Sequence, residues 1–505
     1  MNGAGDAISI RRFSVIGVCL LSIAFASCAS LLNAGNPLQE IVIESYYPGD
    51  LPMWEHITNS GPAIEFEDIP LGVIIPHHAI TATVTARFYQ GMAKKIQPQT
   101  VFILAPNHFE SGETDIISTA TVCYNTVYGR LETDMQFPGL LAASQLVSLD
   151  SRPFNSEHAI FFHAPFIKKF FPDSKIVPVI IKWDTPKEKL EELSRVLENI
   201  ILPDALVLAS VDFSHYNRRE TADFHDRASF RTISNFDVDS LFSLEIDSPA
   251  SVYVLEKIMA ARGYRKGVRL FETNSEDFTK KREEESTSHQ YFTFFKGEPE
   301  YKKGLTILLS GNINGKNDSL YLFDKWLWDR AYVPEKDYTI KRFLKNIRGQ
   351  EDRFFMGTDL YIFDCEQEEK AYRFQKNSVI IQVIKFREGE LSDADYSRVI
   401  KALSAGCDCL VVIYQYDSGK LAFPGQKTAE MFVDNGADIF LGRGIHEPKE
   451  PELYKDGLVI YSAGDFIEET GPAAGMIVYV DYTPKKLSCV KVPVRVRSGY
   501  PELDE

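Results

Sequence analysis

The chain has 505 residues, 44% of them hydrophobic and 25% charged, and carries a formal net charge of -16. That length exceeds what one ordinary core supports, so two domains with a leader and a linker are expected. The acidic balance argues against nonspecific binding to nucleic acid or to anionic lipid, because both are driven by clustered Lys and Arg.

Arg11 and Arg12 precede an apolar run from Phe13 to Ala26, followed by Ser27 and Cys28. A basic start, a short apolar stretch and small residues make the layout of a secretory signal, and the run is shorter than the ~20 residues of a spanning helix. Phe25-Ala26-Ser27-Cys28 resembles the lipobox of bacterial lipoproteins, apart from Phe25 in place of the usual Leu. The expectation is export, with Cys28 lipidated and the mature chain anchored to a membrane, periplasmic or surface-facing. From Ala29 to about Glu67 the mixed, Pro- and Gly-containing sequence reads as a tether. Cys123, Cys365, Cys407, Cys409 and Cys489 include no CxxC pair, so neither a zinc knuckle nor a disulfide framework is indicated. Cys407 and Cys409 open an apolar strand and are expected to be buried as small hydrophobes.

From Leu71 short apolar runs alternate with amphipathic stretches, the signature of an α/β domain. Leu71–Pro76, Val101–Ala105, Lys175–Ile181 and Ala205–Ser210 read as strands. Thr83–Ile96, Lys187–Ile201 and Pro249–Arg262 have helical spacing. After the Lys-rich stretch Lys296–Lys303 a second α/β series begins. Its strands are expected at Leu305–Ser310, Asp359–Phe363, Ser378–Ile384, Leu410–Tyr414, Asp438–Leu441 and Leu458–Ser462, with helices at Ser392–Ala405 and Gln426–Asn435. The domains are thus expected at 68–300 and 301–500.

Three strands of the first series run into histidine-bearing loops: Leu71–Pro76 into His77-His78, Val101–Ala105 into Pro106-Asn107-His108, and Ala205–Ser210 into Asp212-Phe213-Ser214-His215. Ligands gather where the strands of an open α/β sheet end. Three such clusters in a chain with only ten His suit a borderline metal such as iron or zinc.

The same segments carry a family resemblance over roughly residues 72–295. Ile75-Pro76-His77, Ile103-Leu104-Ala105-Pro106-Asn107-His108, Glu157-His158-Ala159-Ile160, Ala209-Ser210-Val211-Asp212-Phe213-Ser214-His215-Tyr216 and Asn274-Ser275-Glu276-Asp277 follow in order. Together they resemble the Memo family (AmmeMemoRadiSam system protein B). The resemblance implies a fold like that of class III extradiol dioxygenases and a metal pocket lined by two His and one Cys. The two His fall on His77 and His108, and Asp247 stands at the Cys position. Asp247 is then a carboxylate ligand in a two-His-one-carboxylate site, the arrangement of non-haem Fe(II) oxygenases, or the N-cap of the helix that Pro249 opens. Asp212 and His215 are the candidate acid/base groups, with Glu157 and His158 orienting them. His78, Ala79 and Ile80 replace the family's Ala-Gly-Tyr.

The region from about Gly304 to Tyr482 resembles the CapA-type poly-gamma-glutamate (capsule) biosynthesis domain of the calcineurin-like metallophosphatase group. Leu308-Leu309-Ser310-Gly311-Asn312, Asp364-Cys365-Glu366, Tyr414-Gln415-Tyr416, Gly442-Arg443-Gly444-Ile445-His446 and Tyr461-Ser462-Ala463-Gly464-Asp465-Phe466 carry the likeness. Asn312, Tyr414, Arg443 and Gly444 stand where that family has metal ligands, and His446 alone remains of the His cluster. A dinuclear site needs those ligands, so a binding or structural role is expected there. Two functions follow: an envelope-anchored redox enzyme holding a divalent metal, iron first, at His77, His108 and Asp247, or a non-catalytic binding or scaffold lipoprotein. A small molecule or a protein is the expected partner, and nucleic acid is not.

Overall fold

The computed structural model describes residues 41–44, 50–282, 285–314, 321–323, 360–364, 371–376, 378–416, 425–468, 473–484, 486–497 and 500–503. The apolar leader, Cys28 and Cys365 lie outside them. Among the described residues no helix is long and apolar enough to cross a membrane. The chain forms two compact units that do not follow a single cut. Residues 1–212, 247–271 and 291–298 make the first, and 213–246, 272–290 and 299–505 the second.

In the first unit, strands β1 (Ile41–Ile43), β5 (Val122–Thr126) and β6 (Gly129–Glu132) form a small sheet. The main sheet has eight strands, β2 (Gly72–Ile75), β3 (Thr100–Pro106), β4 (Ile116–Ser118), β7 (Ser148–Leu149), β8 (Lys175–Ile181), β9 (Leu206–Ser210), β10 (Lys266–Asn274) and β11 (Ser288–Phe295), of which residues 272–274 and 288–290 are counted with the second unit. Their spatial order is β10-β11-β2-β9-β3-β8-β4-β7. The central strands β2, β9, β3 and β8 are parallel, while β11 and β4 join antiparallel. Every residue of β3 is buried, as expected for an apolar run covered on both faces. The helix Lys187–Ile200 buries Leu190, Leu193 and Leu197, one stripe of its surface. The stretch expected as a tether contains the helix Leu51–Thr58, with Trp54 and Phe66 buried. Ile64 donates its N–H to the Arg87 carbonyl, and a Cβ at Gly91 would meet the Ile64 carbonyl oxygen at 1.9 Å. Glycine in the helix Ala82–Ala93 therefore lets the entering chain pack against it.

The second unit contains two sheets. One is built from β12 (Leu305–Asn314), β13 (Tyr321–Phe323), β14 (Leu360–Asp364), β21 (Asp465–Glu468), β22 (Ala473–Thr483), β23 (Lys486–Arg497) and β24 (Tyr500–Leu503). The other runs β15-β16-β17-β18-β20-β19, with β15 Ala371–Lys376, β16 Val379–Arg387, β17 Cys409–Gln415, β18 Ile439–Arg443, β19 Glu452–Tyr454 and β20 Gly457–Ile460. Alternation sorts its residues. Ile381, Val411, Ile413, Ile439 and Leu441 share a core with Leu305, Ile307, Val478 and Val480 of the first sheet. Ile384, Val412, Tyr414 and Phe440 face Tyr396, Ile400 and Phe432 of the helices Asp393–Ser404 and Gly425–Asp434. Cys409 is fully buried, whereas Cys407 is half-buried.

A candidate metal centre

Strands β2, β9 and β3 lie side by side and parallel, with Ile75 opposite Ser210 and Leu104 opposite Ala209. Each releases a functional residue two positions past its end: His77 after Ile75, Asp212 after Ser210 and His108 after Pro106. The register of one sheet edge thus brings three distant loops to one place.

His77 is 1% exposed. Its Nδ1 lies 2.9 Å from the Ser210 hydroxyl, and its Nε2 lies 3.0 Å from Oδ2 of Asp247 and 3.5 Å from Oδ2 of Asp212. Ser210 itself donates to the Ala159 carbonyl at 2.8 Å, so its oxygen is left to accept. The His77 Nδ1–H must then be the donor, so Nε2 is the ring nitrogen that faces the two carboxylates. The same oxygen lies 3.0 Å from Nε2 of His163, whose Nδ1 meets the Tyr89 hydroxyl at 3.0 Å. Burial, with the nearby His77 charge, pushes His163 down to about 3, so it is neutral and completes the relay with Nε2–H donating. His163 and Ser210 were not singled out by the sequence, since nothing in their spacing tells a buried relay from core polarity.

His108 is fixed in the same sense by Glu157, a fully buried carboxylate. Glu157 Oε1 is 2.8 Å from Nδ1 of His108, and Oε2 accepts the His108 N–H at 2.9 Å. Glu157 also accepts the Ala159 N–H at the start of the helix His158–Phe161. It therefore orients His108, not Asp212 or His215 as the sequence led one to expect. His108 Nε2 faces inward, 3.8 Å from Oδ2 of Asp247. Burial opposes charge on His108, but the Asp247 and Glu157 carboxylates outweigh it and raise it to about 10.

Asp247 does not cap the helix that Pro249 opens. The N-cap of the helix Pro249–Ala261 is Ser248, whose side chain accepts the Ser251 N–H. Asp247 turns the other way, with Oδ1 accepting the Asp212 N–H at 3.1 Å and Oδ2 directed at the two imidazoles. Asp212 ties the first loop, accepting N–H bonds from His77 at 3.0 Å and His78 at 3.3 Å. His158 stacks on His108 with ring centroids 4.1 Å apart. Burial and then the neighbouring His77 push it down to about 4, so it too is a neutral imidazole. His215 belongs to the second unit, where its N–H goes to Glu245.

Two donor groups converge, His77 with His108 and His158, and His77 with Asp212 and Asp247. An ion bound at 2.0–2.2 Å can bridge donors no more than about 4.4 Å apart. The 3.0 and 3.8 Å separations of Asp247 Oδ2 from the two imidazoles each fall within that limit, and the carboxylates of Asp212 and Asp247 favour a divalent cation. Beside the site is a cavity of about 240 Å³, bordered by His108 and Asp247, with Pro106, Ile181, Trp183 and Pro249 on its apolar wall and Glu110 and Lys182 among its charged lining.

The chain is similar to known proteins along two stretches. Residues 51–278 match the model of the Memo-like protein family, and residues 357–470 that of the bacterial capsule synthesis protein PGA_cap. A MEMO1 family protein of Caldivirga maquilingensis is 28% identical over 200 residues, 38% of this chain and 70% of that protein. One from Sulfurisphaera tokodaii is 31% identical over 178 residues, 34% of this chain and 62% of the relative. An uncharacterized Escherichia coli K12 protein of known structure covers 44% of this chain and 98% of its own, with 13% identity and a TM-score of 0.31, a likeness too slight to bear on the fold.

Proposed function

Starting from a chain whose residues 51–278 form a Memo-like domain and whose residues 357–470 form a PGA_cap-like one, we propose that the first domain holds one divalent metal ion, iron by preference. The ligands are Nε2 of His77, Nε2 of His108 and a carboxylate oxygen of Asp247, with His158 able to add a further imidazole. One observation carries this reading: Ser210 and Glu157 bind the Nδ1 of the two histidines and leave both Nε2 atoms turned toward Asp247. Two imidazoles and one carboxylate with open positions suit an iron ion that supplies redox chemistry to a bound small molecule, in a setting like that of class III extradiol dioxygenases. The chain's own part is to orient. Asp212 fixes the His77 loop, Glu157 keeps His108 in one tautomer, and the cavity beside Asp247 admits a compact small molecule. Metal analysis after anaerobic Fe(II) loading tests the assignment. About one equivalent in the wild type and little in H77A, H108A or D247A is expected, and equal, negligible metal in all four proteins would refute it.

A second reading, a binding or scaffold lipoprotein, is favoured by the second domain. Tyr414, where the capsule synthesis family has a metal ligand, sits buried on the helix-covered face of its sheet. Capture of a ligand by the full chain, undiminished in H77A and H108A, supports that alternative.

A further inference from the structure

We infer that the carboxyl edge of the β15–β20 sheet in the second unit binds an oxyanion, a phosphate or a carboxylate, through Arg387, Gln415 and Arg443. The three residues close adjacent parallel strands in strict register, Arg387 opposite Gln415 and Gln415 opposite Arg443. Alternation places them on one face, the continuation of Ile381, Ile413 and Leu441. Lys385 stands two residues behind Arg387 on that face, only 7% exposed. In a chain of net charge -16, three cations are thus gathered where ligands collect on such sheets.

The row is also held in shape. Gln415 donates its amide to the Tyr416 carbonyl at 3.1 Å and accepts from Nη1 of Arg443 at 3.4 Å. Gly444 has φ +84°, and a Cβ there would come within 2.5 Å of the Gln415 amide nitrogen, so glycine lets the loop close on that side chain. Arg443 is 6% exposed and Arg387 is exposed; the pair offers one guanidinium fixed in a weakly screened setting and one free to close from solvent. Adjacent strands are ~4.8 Å apart, so the two arginines flank Gln415 closely enough to share one anion. Planar guanidinium groups give paired, charge-assisted bonds to oxyanions. The inference does not depend on the metal centre, which lies in the other unit.

The purified full chain is titrated with inorganic phosphate and, separately, with acetate, followed by calorimetry. Saturable binding with a Kd of about 1 mM or tighter is expected. It should weaken about tenfold or more in R387Q and in R443Q, the loss of one charge-assisted bond. R398Q, at an exposed arginine on a helix, should bind as the wild type does. Tighter phosphate binding identifies a phosphate-bearing ligand, and tighter acetate binding a carboxylate. No saturable binding of either ion, or binding unchanged in R387Q, overturns the inference; R387Q decides the matter even where the buried R443Q fails to fold.

Discussion

Glu157 shows how much of a site one buried carboxylate can set. It holds the backbone and the ring of His108 at once, so E157Q should keep the fold but lose the charge that fixes the tautomer. Outer partners of this kind are worth about 10- to 100-fold in metal affinity. Competition with a chelator should show that loss in E157Q, and unchanged affinity would assign Glu157 to loop structure alone. Asp438 supports a pH prediction in the second unit. Burial raises its carboxyl to about 6, against the Leu410 N–H bond that favours the charged form. A carboxyl raised in the fold from 3.8 contributes its full stability below that value and loses it as pH rises through about 6. D438N should therefore melt above the wild type at pH 7, with the gap closing at pH 4. A gap independent of pH would mean the charge is not its cause.

Among the elements, the helix Pro249–Ala261 separates two tasks that the sequence left overlapping. S248A removes the cap and should cost about 1 kcal/mol of stability with metal uptake retained. D247A should abolish uptake while leaving the cap bond intact, and thermal melts beside metal analysis would distinguish the two. The helix Arg219–Asn235 is pinned within the second unit by Arg231, 2.6 Å from Asp481, both nearly buried, and by Phe224 against Tyr479. D481N strands a buried guanidinium and should cost about 3–5 kcal/mol, whereas R231M/D481L, which leaves no charge behind, should cost less. Chemical denaturation of both variants tests this. That helix was not expected from periodicity: Thr221, His225, Asp226, Ser229 and Arg231 are buried polar residues and blur the apolar stripe that a helix reading relies on. The antiparallel strands β10, β11, β22 and β23 were also not foreseen, because their partners are set by pairing across the sheet rather than by local pattern. The parallel strands of the first unit fell within a residue or so of expectation.

At the scale of the whole molecule, the anchor remains a proposal from the leader alone. Mass spectrometry of the protein from membranes should find Cys28 as a lipid-bearing first residue, and C28S should shift the protein to the soluble fraction. An intact N-terminus would reject this. The sequence by itself determined two α/β regions, the loops bearing His77 and His108, and the candidate carboxylate, because strand runs and their end loops are local patterns. Only the tertiary structure decided that Asp247 faces the histidines rather than capping its helix, that Ser210 and Glu157 set both tautomers, and that Arg387, Gln415 and Arg443 form one row. Each of those depends on which strands become neighbours and in what register, and that is fixed by burial across the sheet rather than by any residue's surroundings along the chain.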